Sequence, residues 1–268
     1  MSPATSTTEV FARAREENRA ALVGYLPAGF PDVAGSVEAM RVMVDAGCDV
    51  IEVGLPYSDP VMDGPTIQAA AQRALEGGIR TVDVLRTVEQ VAEAGVPVLV
   101  MTYWNPVERY GVERFATDLA AAGGAGLITP DLVPEEADAW IAAADQHELD
   151  KVFLVAPSST DARLRSTTQA CRGFVYATAV MGVTGLRDSS SDLVAPLLER
   201  TREVTDLPVG VGLGVSNGRQ AAEVARHADG VIVGSAFVRR LLDAGTDRAA
   251  GLAALRDLTQ DLAEGVRA

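Results

Sequence analysis

Short apolar, β-branched runs recur along this chain with a helix-like segment after each, and that alternation constrains its fold more than any other feature. The runs cover residues 21–26, 50–54, 98–102, 125–129, 152–156, 174–178, 209–212 and 231–234. Each is almost continuously apolar, the pattern of a parallel strand covered on both faces. Between them, apolar residues return every three or four positions, as at 37–46, 82–94 and 112–122, which is the spacing of an amphipathic helix. Gly47, Gly95 and Gly123 stand just past such segments, where a glycine turns a helix end left-handed without a Cβ penalty. Eight such repeats predict an α/β fold, a single (β/α)8 barrel, which needs about 250 residues. The chain has 268. One domain is expected over residues 1–268, with 1–15 as a segment preceding the first strand. AGCDVIEVG at 46–54 and ADGVIVG at 228–234 repeat one another weakly, as sections of a quasi-symmetric barrel would.

The competing architecture is an open doubly wound sheet, which wants a dinucleotide fingerprint. The glycine-rich stretch at 210–214 does not provide it. Reading from Gly210 puts Val215 where the last glycine belongs, and reading from Gly212 puts Asn217 there. A P-loop is excluded as well, because the sole lysine, Lys151, lies elsewhere.

In a barrel the chemistry sits where the strands end at their C-terminal side. The second strand delivers Glu52 there, inside the run Val50, Ile51, Val53. Burial disfavours the charged form of a carboxylate, so such an acid gains a raised pKa suited to general acid catalysis. The alternative is a strand acid paired with an arginine. Asp63 closes a loop punctuated by Pro and Gly on the same side; alone it reads equally as a turn or helix-cap aspartate. Tyr176 on the sixth strand reads as barrel core when taken by itself. The polar stretch LRDSSS at 186–191 suits a lid, taken as residues 179–191. Gly212, Leu213 and Gly214 follow the seventh strand, and Gly234 and Ser235 follow the eighth at a helix start. Small residues in those two places make a barrel phosphate site.

Absences narrow the chemistry. A Schiff-base mechanism needs a lysine in the site, and Lys151 falls at the start of the fifth strand, the wrong end. A metal-dependent aldolase wants several histidines, and the only two, His147 and His227, fall near helix ends that lead into strands. No metal site is expected. Cys48 and Cys171 read as buried structural thiols. A formal net charge of −14 argues against nucleic acid as a partner. No apolar run reaches the length of a membrane span, and the Ser- and Thr-rich first ten residues lack the features of a secretory signal, so a cytoplasmic protein is expected. What remains is carboxylate acid–base chemistry on a phosphorylated substrate: carbon–carbon cleavage, isomerisation or epimerisation.

The stretch 52–68, EVGLPYSDPVMDGPTIQ, resembles the signature of the tryptophan synthase α subunit family. Further matches follow in order: LPAGFPD at 26–32, YWNP at 103–106, GVTG at 182–185, GLGVS at 212–216 and the pair Gly234-Ser235. The resemblance implies a lyase that splits indole-3-glycerol phosphate into indole and glyceraldehyde 3-phosphate, with Glu52 as general acid/base and Asp63 holding the indole N–H. It implies that Tyr25, Met101, Tyr176 and Leu213 line the indole site, that Thr184 belongs to the lid, and that Gly185, Gly214, Gly234 and Ser235 hold the phosphate. It further implies no cofactor in this chain, and a β subunit carrying pyridoxal phosphate in a heterotetramer of two α and two β subunits. Tyr57, Ser58, Asp59 and Pro60 resemble the face that meets that partner. Departures from the common pattern are Val133, Met62 and Ala179-Val180-Met181 ahead of Gly182; they touch the lid and the partner face and leave the carboxylate pair intact. Two other readings stay open: a stand-alone lyase of the same kind, and a subunit that binds a phosphorylated ligand without catalysis.

Overall fold

The computed structural model describes residues 6–178 and 191–268. Its strands are β1 (Ala21–Pro27), β2 (Val50–Gly54), β3 (Val98–Met101), β4 (Gly126–Thr129), β5 (Asp150–Val155), β6 (Val175–Thr178), β7 (Val209–Gly212) and β8 (Gly230–Val233). All pair in parallel in chain order, and β8 returns to β1 to close the barrel. Among the described residues the helices are α1 (Thr7–Glu16), α2 (Val33–Ala46), α3 (Pro65–Glu76), α4 (Thr81–Ala92), α5 (Trp104–Tyr110), α6 (Val112–Ala121), α7 (Asp138–Gln146), α8 (Asp161–Ala170), α9 (Ser191–Arg202), α10 (Gly218–Ala225), α11 (Ser235–Asp243) and α12 (Arg248–Gly265). The predicted barrel is therefore the observed one.

Alternation along the strands divides two layers. Ala21, Val23, Val50, Leu99, Ile128, Val152, Phe174 and Ile232 fill the barrel interior, while Leu22, Ile51, Val53, Val98, Val100, Leu127, Val231 and Val233 pack outward against the helices. Both faces being buried explains why the runs look continuously apolar in sequence. Because successive side chains point to opposite faces, Glu52, two positions beyond Val50, must point inward.

Most boundaries shift by a residue or so from the sequence expectation, and three differences have a clear physical reason. β5 begins at Asp150, not at residue 152: Asp150 and Lys151 pair with Gly126 and Leu127 of β4, although neither is apolar. β8 ends at Val233, because Gly234 already serves as the N-cap of α11. Residues 1–15, expected only as a segment ahead of β1, contain most of α1. Its buried face, Val10, Phe11 and Ala14, plugs the N-terminal mouth of the barrel, and the Phe11 ring lies 5.2 Å from that of Phe174. Thr7 on the same helix donates a hydrogen bond to the buried Asp150. The thiol expectation also divides: Cys48 is buried and Cys171 only partly so.

The weak repeat in the sequence has a structural counterpart. Asp49 precedes β2 and accepts the Leu22 N–H of β1 at 2.9 Å; Asp229 precedes β8 and accepts the Val209 N–H of β7 at 3.0 Å. Each also takes arginines. Arg19 grips Asp49 with two nitrogens, at 2.7 and 2.9 Å, and Arg15 and Arg202 reach Asp229 at 3.2 and 3.3 Å. The Arg19 and Asp49 side chains are only 7% and 8% exposed, so each would leave a buried charge behind if the other were removed. Arg19→Ala is therefore expected to lower the unfolding free energy by about 3 kcal/mol, read from urea denaturation. Arg41→Ala, which opens the exposed pair with Glu93, should stay within about 1 kcal/mol of wild type.

Candidate active site

Glu52 lies in register between Tyr25 of β1 and Leu99 of β3. It is fully buried, and neither carboxyl oxygen has a hydrogen-bond partner among the described residues. Among the described residues nothing nearby compensates a negative charge, and burial pushes its pKa up to about 8. The expected raised acid is therefore present, and no arginine among the described residues pairs with it.

Two phenols stand beside it. Tyr25 and Tyr176 are both held well above the ordinary phenol pKa, first by burial; the charge of Asp63 and then of Glu52 adds to this at Tyr25, and Glu52 at Tyr176. Both phenols therefore stay protonated. Glycines make room for them. A Cβ on Gly54 would lie 2.3 Å from the Tyr25 hydroxyl oxygen, and one on Gly212 would lie 2.5 Å from that of Tyr176. The glycines that end β2 and β7 thus let two tyrosines lie across the barrel mouth.

Asp63 stands two residues before α3 and is half-buried. The Tyr103 hydroxyl donates to its Oδ1 at 2.8 Å, and Gln68 donates to its backbone carbonyl at 2.7 Å. Burial raises its pKa above the usual carboxylate value, and the Tyr103 hydrogen bond pulls in the opposite direction. The charges of Asp63 and Glu52 both act on the Tyr25 phenol.

The remaining expected residues stand at or just past the C-terminal ends of their strands. Met101 ends β3 and Leu213 follows β7, each half-buried. Gly214 is exposed with φ of +70°, a backbone shape that favours glycine. Gly234 caps α11 and Ser235 begins it; no side chain caps this helix and its first turn holds no acid, so its positive end is open to an anion. Tyr25 reaches this corner too, 3.2 Å from where a Gly234 Cβ would lie. Thr184, Gly185 and most of the expected lid lie outside the described residues. On the loop after β2, Ser58 and Asp59 are exposed, and Tyr57 and Pro60 half-buried. Ser58 donates to Asp59 at 2.5 Å, and Val61 is 70% exposed.

Residues excluded by sequence reasoning are where it put them. Lys151 pairs with Asp145 at the start of β5, far from the strand ends that carry Glu52. His147 lies within hydrogen-bond distance of Thr117, and His227 is exposed after α10. Two contributors carried no assigned role. Tyr103 appears in the sequence only as part of YWNP. Asp131, just beyond β4, accepts the Trp104 N–H at 2.9 Å and so anchors the start of α5. Their common signal is position: both come within two residues of a strand's C-terminal end.

Comparison with known proteins decides the family. The profile described as tryptophan synthase alpha chain matches residues 11–267. This chain belongs to the tryptophan synthase alpha chain family. The tryptophan synthase alpha chain of Nocardia farcinica is 60% identical over 267 residues, covering 100% of this chain and 98% of that one. That of Salinispora arenicola is 65% identical over 257 residues, 96% of each. A chain from the structure of Mycobacterium tuberculosis tryptophan synthase superposes with a TM-score of 0.91 at 57% identity, covering 99% of both chains. The tryptophan synthase subunit alpha of Legionella pneumophila gives 0.89 at 32% identity, covering 98% of this chain and 99% of that one. Membership makes this chain a carbon–carbon lyase of tryptophan biosynthesis. Among the described residues no helix is long and apolar enough to cross a membrane.

Glu52 also sets a stability trend. Its folded pKa, about 8, lies above the ordinary 4.5. The folded state therefore holds the proton more tightly than the unfolded chain, and the contribution of Glu52 to stability is greatest below pH 4.5 and falls as pH rises toward 8. Glu52→Gln removes that dependence. Its stability relative to wild type should climb by about 1.4 kcal/mol per pH unit between roughly pH 5 and 8, measured by chemical denaturation at several pH values.

Proposed function

We propose that this chain cleaves indole-3-glycerol phosphate to indole and glyceraldehyde 3-phosphate, with Glu52 moving the protons and Asp63 holding the indole nitrogen. The observation that carries this is the fully buried carboxyl of Glu52, without a hydrogen-bond partner among the described residues, which burial holds protonated at neutral pH by pushing its pKa up to about 8. A neutral acid in that place protonates indole C3. The ring then becomes an indolenine with positive character at nitrogen, and the Asp63 carboxylate accepts its N–H. Glu52, now a carboxylate, takes the proton from the hydroxyl of the adjoining glycerol carbon. That carbon becomes the aldehyde, the bond to C3 breaks, and its electron pair restores the aromatic ring. Each step uses two carboxyl groups whose environments set different proton affinities.

Tyr25, Met101, Tyr176 and Leu213 would bound the indole. Backbone N–H groups at Gly214, Gly234 and Ser235, with the open end of α11, suit the phosphate; the family resemblance adds Thr184 and Gly185. No cofactor is needed in this chain, and its one lysine is engaged by Asp145 away from the site. The partner is a β subunit carrying pyridoxal phosphate, in a heterotetramer of two α and two β subunits in the cytoplasm, met through Tyr57, Ser58, Asp59 and Pro60. One domain spans residues 1–268 in this reading.

The test follows indole release from indole-3-glycerol phosphate by wild type, Glu52→Gln and Asp63→Asn. Both substitutions keep shape and remove the titrating group. Wild type should release indole, and each variant should lose about a hundredfold or more in kcat while still binding the substrate. Wild type that binds the substrate yet does not cleave it, even with the β subunit present, would sink the lyase reading and leave a binding subunit.

A further inference from the structure

Asp63 must present a carboxylate oxygen to the substrate, yet it sits on a loop that is only half-buried. What fixes it comes from another strand. Tyr103 stands two residues past β3, is 5% exposed, and donates its hydroxyl proton to Asp63 Oδ1 at 2.8 Å. The same hydroxyl oxygen accepts the Met62 N–H at 3.0 Å. A phenol has one proton to give. With a backbone N–H directed at its oxygen from one side, that proton is committed to Asp63. The two bonds therefore clamp residues 62 and 63 together and hold Asp63 by its Oδ1.

Tyr103 is itself held from the partner-contact loop. Its ring packs tilted against that of Tyr57, with centroids 5.3 Å apart, and Asn105 on α5 donates to the Tyr57 hydroxyl at 3.1 Å. Asp131 anchors the first turn of α5 from the end of β4. The chain of contacts thus runs from α5 through Tyr57 and Tyr103 to Asp63. We propose that Tyr103 is a positioning residue for the lyase reaction, orienting Asp63 by this hydrogen bond, with Tyr57 and Asn105 holding Tyr103 in place. This rests on the reading of Asp63 as the group that holds the indole nitrogen.

Among the described residues, the titratable groups that face Asp63 are Tyr103 and Tyr25; Glu52 lies beyond Tyr25 and acts on that phenol as well. Since the Tyr103 hydrogen bond is what opposes the upward pull of burial on Asp63, removing it moves the Asp63 titration to higher pH. Tyr103→Phe keeps the ring and its packing on Tyr57 and removes only the hydroxyl.

Two measurements on the full chain test this. The first is a 13C NMR titration of carboxyl-labelled aspartate, with the Asp63 signal assigned by its loss in Asp63→Asn. The midpoint should rise in Tyr103→Phe by about half a pH unit or more. The second is steady-state turnover of indole-3-glycerol phosphate: kcat should fall about tenfold with KM changed less than about threefold, and the acid limb of the kcat profile should move upward with the NMR midpoint. An unmoved Asp63 midpoint overturns the proposal, and so does a shifted midpoint with wild-type kcat when Asp63→Asn is inactive. Full activity in Asp63→Asn would overturn the catalytic reading of Asp63 beneath it, an outcome separate from either.

Discussion

Closure of a parallel sheet leaves no free edge and no wet face. Backbone groups pair from β1 round to β8 and back, and every second side chain of each strand is driven into an interior that excludes water. Elsewhere in the barrel that interior is filled by Val, Leu, Ile and Phe. At Glu52 the alternation instead delivers a carboxyl group with no hydrogen-bond partner among the described residues. The features of the site that surround Glu52 follow from this geometric demand: two phenols laid across two glycines, and a second carboxylate on a loop at the rim.

A buried carboxyl without a partner is unfavourable to a fold once it ionises. Glu52 avoids most of that cost by remaining protonated, which is also the state a general acid must occupy before it acts. Stability and reactivity here draw on one desolvation. The opposite end of the barrel is closed by other means: Arg19 and Asp49 form a two-point contact, Asp229 gathers two arginines, and α1 fills the opening with Phe11. The two ends thus have different work, and the strands keep them about one strand length apart.

Much of this is legible in the sequence, and what is not has a physical explanation. The barrel can be read because strands buried on both sides leave unbroken apolar runs, and Glu52 can be read because it interrupts such a run at a strand's far end. Asp150 and Lys151 hide the start of β5, since hydrophobic pattern does not register a polar residue that pairs by its backbone. α1 hides in a polar stretch because only three apolar residues make its buried face. Tyr103 is the instructive case. Its residue type and its neighbours give no sign that its hydroxyl meets Asp63, forty positions away in sequence. Side-chain hydrogen bonds between loops depend on where two strand ends come to rest, which no local pattern encodes.

The paired aspartates at 49 and 229 have one more consequence. They stand at the start of β2 and β8, the two strands that flank β1, and each ties its strand to the preceding one through a backbone amide. The seam where the first and last strands meet is thereby bracketed by the same latch on either side. The same solution is used twice, once on each side of the closing seam, at the end of the barrel away from the catalytic rim.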